Sequence, residues 1–419
     1  MKNDSPLLKD HHQNSVKTGK NGEKINGDTD WETFLQQLPA EEFYGNGTFG
    51  VLVSPAAKNG RAQKIKIFKK MPRGYWQCTY EQVTKTPETV LEFLGNVEFT
   101  GEVYEAGNVS ALGIIGDLLL IGSDEGNKIQ VLKRNGSRYR LIQDILLNDD
   151  GKEVDVEGIA CDGDTVYIVG SHSWKRPKMR PDRTYEKNRN MIEEVIYEKS
   201  RDKLFRLKID KEGRVIGNIK KTSLRKIIDE NNVLKVFSRV PGKENGVDIE
   251  GIAVHNSVLY FGFRGPVLRG NYVPVLVCPF PKRIRESQLL YVNLGGRGIR
   301  DFVRVNQGFF ILAGPVGDGP GSYQLYFWDG RDCIPGKRMT GDPAGQCIYL
   351  CEIPTPENAK AEGITVLQER KSTYEFLITY DSLHKGGTRR FRITKPPAIT
   401  KATNSAVNGA DSPAAMPKP

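Results

Sequence analysis

Short apolar runs separated by tight polar turns recur through the middle of this chain. From Val109 the chain reads VSALGIIGDLLLIGSDEG, and from Val156 it reads VEGIACDGDTVYIVGSHS. The pattern returns at Ile249 (IEGIAVHNSVLYFGFRGP) and at Ala361 (AEGITVLQERKSTYEFLITYD), with a looser copy at Gly296 (GRGIRDFVRVNQGFFILAGP). Each copy opens as a short strand, passes a polar turn such as Asp162-Gly163-Asp164 or His255-Asn256-Ser257, and returns as an apolar strand. That arrangement predicts antiparallel hairpins. A third strand is expected after most copies, at 128–133, 203–209, 323–328 and 388–393.

The first positions of the copies align as Ser110, Glu157, Glu250, Arg297 and Glu362, at separations of 47, 93, 47 and 65 residues. Four-stranded repeat units of roughly 40–50 residues belong to propellers, which answer the exposed-edge problem by arranging sheets radially. The expected fold class is therefore all-β, a β-propeller of five or six blades. The strand 90–99 is expected to close the ring against the last blade. The 93-residue interval reads as one blade carrying a helical insertion. Its residues 174–190 are basic and Pro-broken and are expected as loop, Met191, Ile192, Val195 and Ile196 recur at helical spacing, and a second helix is expected at 223–231. Four regions follow: a polar, disordered head (1–30), an extension of uncertain fold with a short helix at 31–38 and strands at 49–53, 64–68 and 75–80 (31–90, a candidate sixth blade), the propeller (91–394) and a disordered tail (395–419).

Composition narrows the setting. Apolar residues make up 38% and charged residues 27% of 419 positions, as in soluble globular proteins. No run of about 18 apolar residues is present, which excludes a membrane-spanning helix. The N-terminus lacks the apolar core of a secretory signal, so a cytoplasmic location is expected. The net charge of +10 falls on the folded body, because the head carries five Lys against five acids and the tail only three Lys against one Asp. Such a body favours acidic partners, although no recognised nucleic-acid-binding module occurs. Six dispersed cysteines read as buried free thiols, with a Cys333–Cys347 disulfide as the alternative.

Hairpin geometry turns the repeat into a candidate site. The start of the first strand lies beside the end of the second, so radial stacking gathers those ends on one face. That face is expected to collect Ser110 with Asp124 and Glu125, Glu157 with Ser171 and His172, and Glu250 with Arg264. Arg297 with Arg300 and Asp301, and Glu362 with Tyr380 and Asp381, complete it. Two readings stand open: each Glu is paired as a blade-to-blade fastening, or two or more carboxylates converge on a metal or substrate. Residues that depart from the repeat (His172, Arg264, Arg297, Arg300, Asp124) carry the functional hypothesis. The basic run 175–189 steers an anion if its loop lies at this rim, and the loop 314–321 (GPVGDGPG) is a rim loop without the Lys of a phosphate-binding P-loop.

In these stretches the chain resembles a bacterial family of propeller-like proteins with SDEGN, EGIA, GSHS, IEGIA, GFRGP, GGRGIRD and AEGI in this order. They stand here at 123–127, 157–160, 170–173, 249–253, 262–266, 295–301 and 361–364. The resemblance spans 95–394; it implies a β-propeller and no particular activity. A remoter similarity is to calcium- or zinc-dependent lactonase and esterase-like phytase propellers, which also place Glu-Gly at the start of an inner strand; in the lactonases such a Glu binds the central metal. It implies a metal role for Glu157, Glu250 and Glu362, from which Ser110 and Arg297 depart. The expected function is binding of a small anionic ligand or protein partner at the charged rim, with Asp124, Glu125, Arg297, Asp301 and Asp381 contributing. The alternative is a metal-assisted hydrolase of a phosphoester, lactone or ester. There a divalent cation (Ca or Mg) sits on the Glu residues, Arg264 and Arg300 bind the anion, and His172 moves protons.

Overall fold

The computed structural model describes residues 90–148, 151–280, 286–336, 339, 341–356 and 359–394, together with the strands Val16–Lys17, Lys24–Ile25, Glu42–Gly45, Phe49–Ser54, Gln63–Lys70 and Trp76–Thr84. Apart from Val16–Lys17 and Lys24–Ile25, which pair antiparallel where a disordered head was expected, the head lies outside the described residues, as do the helix expected at 31–38 and the tail. The chain divides into two units, Met1–Thr89 and Val90–Pro419. In the first, the four strands from Glu42 to Thr84 pair in sequence order, each antiparallel to the next.

The second unit is a ring of five blades. Blade 1 runs Val109–Ile115, Leu118–Ser123, Lys128–Asn135 and Arg138–Leu146 from the inside outwards. Blade 2 has Val156–Asp162, Thr165–Gly170, Leu204–Ile209 and Val215–Thr222, and blade 3 has Asp248–His255, Val258–Gly265, Tyr272–Pro279 and Gln288–Asn293. Blade 4 comprises Gly298–Val305, Gly308–Gly314, Tyr323–Trp328 and Cys347–Ile353. Blade 5 takes Lys360–Glu369, Thr373–Asp381 and Arg389–Thr394 from the end of the chain and its outermost strand, Leu91–Asn96, from the beginning. After Asn96 the chain crosses to blade 1, where Glu98–Thr100 lies parallel to Arg138–Leu146. Each innermost strand packs on the next, and the fifth packs on the first. The ring is complete with five blades, which removes the option of a sixth.

The 93-residue interval is one blade with an insertion between its second and third strands. There, Trp174–Lys175 pairs with Ile196–Tyr197, and the helix Tyr185–Glu193 begins at Thr184, whose hydroxyl accepts the Lys187 N–H. The helix occupies residues 185–190, where the basic, Pro-broken composition indicated loop, and ends before Val195 and Ile196, so that only Met191 and Ile192 of the helically spaced set lie in it. The second helix is Arg225–Glu230. No described helix is long and apolar enough to cross a membrane.

The core sits between blades rather than inside any one of them. Each sheet carries apolar side chains on both faces, so its middle strands read as near-continuous apolar runs. Blades 3 and 4 interlock through Tyr260, Phe302, Phe309 and Trp328, blades 4 and 5 through Phe310, Tyr374 and Phe376. At about 1.5–3 kcal/mol for each large apolar side chain buried, these inter-blade seams supply most of the ring's cohesion.

The repeated Glu-Gly has a steric explanation. A Cβ on Gly158 would stand 3.0 Å from the Ile252 nitrogen, and one on Gly251 would stand 2.8 Å from Phe302 and 3.0 Å from the Asp301 Cα. On Gly363 it would meet the Ser110 carbonyl at 3.0 Å. Glycine is required where one innermost strand abuts the next. Blade 4 has Asp301 at this place, and its carboxylate instead accepts the Ile364 N–H of blade 5 at 2.8 Å.

Candidate functional site at the channel mouth

Every innermost strand carries a β-bulge at the same level. Strand pairing skips Ser110 in blade 1, Glu157 in blade 2, Glu250 in blade 3, Arg300 in blade 4 and Glu362 in blade 5. A bulge re-aims a side chain out of the regular alternation, and here five of them form one ring. The member from blade 4 is Arg300 and not Arg297, which corrects the alignment made from sequence. Arg297 instead bonds the Ser322 carbonyl (3.1 Å) and hydroxyl (2.8 Å), bracing the start of the third strand of its own blade.

Four of the five ring residues bridge to an adjacent blade. The Ser110 hydroxyl donates to the Val156 carbonyl at 2.6 Å. Arg300 reaches Glu250 on one side (Nε to Oε2, 2.9 Å) and Glu362 on the other. Glu250 also receives Arg264 Nη1 at 2.6 Å, and Arg264 Nη2 pairs with Asp248. Burial opposes the charge of Arg264, yet Asp248, Glu250, Glu157 and Glu362 together hold it more firmly protonated. This chain of buried acids and guanidiniums fastens blades 3, 4 and 5, since buried charges must be paired.

The fifth member, Glu157, makes no ion pair and accepts no hydrogen bond among the described residues. Burial raises its pKa well above the ordinary value, and Asp155, Glu250, Asp248 and Asp124 push it further in the same direction. Asp124, at the end of the second strand of blade 1, is raised to about 8 by burial and then by Glu362, Asp155, Asp381 and Glu125. Its Oδ1 is buried without a hydrogen-bond partner. Asp155 is tied to Arg201 at 2.8 Å and is raised to about 6, burial outweighing that cation. The mouth is therefore divided: the paired arginines Arg264 and Arg300 lie on blades 3 and 4, and among the described residues Asp124 on blade 1 and Glu157 on blade 2 are acids without a cation.

His172 is fully buried in a left-handed conformation (φ 53°). Its Nε2 accepts the Leu224 N–H at 3.1 Å, so Nδ1 carries the proton and donates to the Gly170 carbonyl at 2.8 Å. Burial lowers its pKa to about 4. With both nitrogens engaged, the imidazole acts as a pin for the segment after blade 2 and has no free position for proton transfer. Asp301 likewise uses both oxygens on backbone N–H groups of Phe302 and Ile364, and Asp381 pairs with Lys360 at 2.7 Å. Glu125 is exposed, and Tyr380 is buried with its hydroxyl on the Pro354 carbonyl. Among the described residues, no three His, Cys, Asp or Glu side chains are placed to hold a metal ion. Cys333 and Cys347 are both free thiols, against the disulfide alternative.

Beside the ring lies a cavity of about 300 Å³ lined by Lys243, Arg264, Arg300, Tyr323 and Lys360, with the loop 315–321 on its outer side. Four cations face one lining acid, Asp318. The basic insertion is anchored next to it: Arg176 pairs with Glu244, the neighbour of Lys243, and Lys178 lies close enough to help hold the Asp318 carboxyl below its usual range. Lys243, Lys360, Asp155, Asp248 and Arg201 escaped the sequence reading. The signal for the acids was present, since Asp155 and Asp248 each stand two residues before the ring glutamate in D-x-E-G-I-A.

These strands define a five-bladed β-propeller with a charged ring at one mouth. The model of a family described as a protein of unknown function, DUF3616, matches residues 108–393, and the chain belongs to that family. No curated protein sequence matches it. Among solved structures it is similar to a candidate 6-phosphogluconolactonase from Bacteroides uniformis (10% identity, TM-score 0.30, covering 75% of this chain and 84% of the other). It is also similar to the WD40 β-propeller domain of Doa1 (9%, 0.31, 84% and 91%) and to an exo-β-1,3-galactanase from Phanerochaete chrysosporium (10%, 0.32, 91% and 96%). At these scores the likenesses add nothing to the architecture read from the strands.

Proposed function

We propose that the protein binds a small anionic ligand in the cavity beside the ring. The observation that carries this reading is the lining itself, with cations contributed by three separate parts of the chain: Lys243 and Arg264, Arg300, and Lys360. The volume is at the lower end of small-molecule sites, about 300–1,000 Å³, which favours a compact ligand over a protein partner. Arg264 and Arg300 are already neutralised by ring carboxylates and Lys360 by Asp381, so the cation most readily released to a ligand is Lys243. Lys243 pairs with Asp318 at 3.0 Å with both side chains more than half exposed. Such a pair is worth about 0–1 kcal/mol, so an incoming anion displaces Asp318 at little cost. The basic insertion beside the opening raises the local concentration of anions.

The geometry gives no comparable support to a metal-assisted hydrolase. Glu250 and Glu362 spend their charge on Arg264 and Arg300, and His172 spends both nitrogens on backbone. Calorimetric titration with inorganic phosphate, acetate and citrate at constant ionic strength tests the anion reading. At least one of them is expected to bind, and Lys243→Ala with Lys360→Ala to weaken it about tenfold or more. Absence of binding by all three, or full binding by the double variant, overturns it.

A further inference from the structure

We propose that the cavity is self-inhibited: the Asp318 carboxylate, carried on the hinged tip of the loop 315–321, holds Lys243 in place of the ligand's anionic group and is displaced when the ligand binds. This rests on the anion reading above and adds its regulation. The two partners of the Lys243–Asp318 pair are held very differently. Lys243 stands in the short turn Gly242–Glu244, which is fastened on both sides. A Cβ on Gly242 would overlap the Asp248 carboxylate, so the turn lies directly against the buried acid that pairs with Arg264. On the other side Glu244 pairs with Arg176 of the insertion, and the Asn245 side chain accepts the Val267 N–H at 2.7 Å. The ammonium group is thus offered to the cavity from a fixed backbone.

Asp318 stands on a backbone pinned only at its base. A Cβ on Gly321 would stand 2.7 Å from the Pro315 ring, which closes the neck of the loop, whereas one on Gly319 would meet nothing within 4 Å. Gly317, Asp318, Gly319 and Pro320 are all exposed. The tip rests on Lys243 twice: a Cβ on Gly317 would stand 3.1 Å from the Lys243 carbonyl, and Asp318 takes the ammonium group at 3.0 Å. Among the described residues Lys243 is the one ion-pair partner of Asp318, and Asp318 is the one acid in the cavity lining. Segments with few buried contacts open locally at low cost, and the glycines on either side of Asp318 leave its backbone free to turn. Both side chains of the pair are accessible, Lys243 at 53% and Asp318 at 61%, so an anion from solvent competes with Asp318 for the same ammonium group. An exposed pair of this strength leaves the cation free about one-half to one-sixth of the time, which weakens binding of a competing anion about two- to sixfold.

Calorimetric titration of the full chain with inorganic phosphate, acetate and citrate at constant ionic strength tests this in wild type, Asp318→Asn, Lys243→Ala and the double variant. Asp318→Asn is expected to tighten binding about two- to sixfold. In the Lys243→Ala background the same substitution is expected to gain nothing and to restore no binding, because the contested cation is gone. Limited proteolysis reads the tip itself. Nicking within 315–321, located by mass spectrometry, is expected to be faster with bound anion, and faster in Asp318→Asn without any. Affinity that is unchanged or weaker in Asp318→Asn overturns the self-inhibition and leaves the anion reading standing. So does a gain that persists without Lys243, which would come from the lost charge acting through space, and so does a loop that the anion protects or leaves unaffected. If neither wild type nor Asp318→Asn binds any of the three anions, both fall.

Discussion

Arg300→Met removes the guanidinium that joins Glu250 and Glu362 and leaves a side chain of similar reach. Arg300 is 4% exposed, and Glu362 has no other cation within ion-pair distance among the described residues, whereas Glu250 keeps Arg264. One orphaned buried carboxylate costs about 3–5 kcal/mol. At about 2–4 °C per kcal/mol for a domain of this order of size, Tm at pH 7.5 is expected to fall by on the order of 10 °C. The pH dependence has a definite sign. Burial already pushes Glu250 up, and loss of Arg300 raises it further. An acid whose folded pKa lies above its unfolded value binds its proton more readily when folded, so the penalty is absent at low pH and grows as pH rises. The gap between variant and wild type is therefore expected to be smaller at pH 5 than at pH 7.5 in matched thermal melts followed by circular dichroism. Adding Glu362→Leu should return part of the loss, because it removes the orphaned charge. A Tm change below about 2 °C, or a gap that widens on acidification, refutes the fastening role.

Two further outcomes follow from the seams. His172→Ala leaves the Leu224 N–H and the Gly170 carbonyl without partners and is expected to cost about 2–5 kcal/mol, read from urea unfolding. In the wild type, the folded pKa of His172 near 4 lies below its unfolded value. The associated stability is present above about pH 6.5 and lost as pH falls towards 4, and a proton NMR titration should find one imidazole that stays neutral at pH 5.5. Gly251→Ala drives a methyl group to 2.8 Å from Phe302 and should cost about 1–3 kcal/mol; an unchanged midpoint would show that the blades part more easily than this contact implies.

The hairpins were legible because each apolar run is bounded by a turn of Asp, Gly, Asn or Ser, and the insertion because its basic, Pro-broken residues cannot continue a strand. Blade 4 was misread by three residues. Its copy lacks Glu-Gly, and Gly296 was a visible anchor, whereas the bulge that aligns Arg300 with Glu250 is a property of strand pairing. The ring itself was foreseeable in outline, yet its charge balance was not. Whether Glu157 is paired depends on which of Arg201, Arg264 and Arg300 reaches which acid, and that is decided by blade geometry across as many as 62 residues of sequence. The fate of His172 was hidden for the same reason, since its partner Leu224 arrives from beyond the third and fourth strands of its blade.

Blade 5 joins strands from both ends of the propeller, and Glu92 meets Arg392 across 300 positions. Synthesis delivers Leu91–Asn96 first and Arg389–Thr394 last, so the strand made earliest must wait for the one made latest. Four blades can assemble as they emerge, each on its predecessor, but until the last strand appears the nascent chain has an open seam on blade 1 and an unmated edge at Leu91–Asn96. A ribosome stalled anywhere before Arg389 thus holds a propeller with exposed apolar flanks. Completion of the ring is a single late event, the step at which a chaperone or a protease has most to recognise.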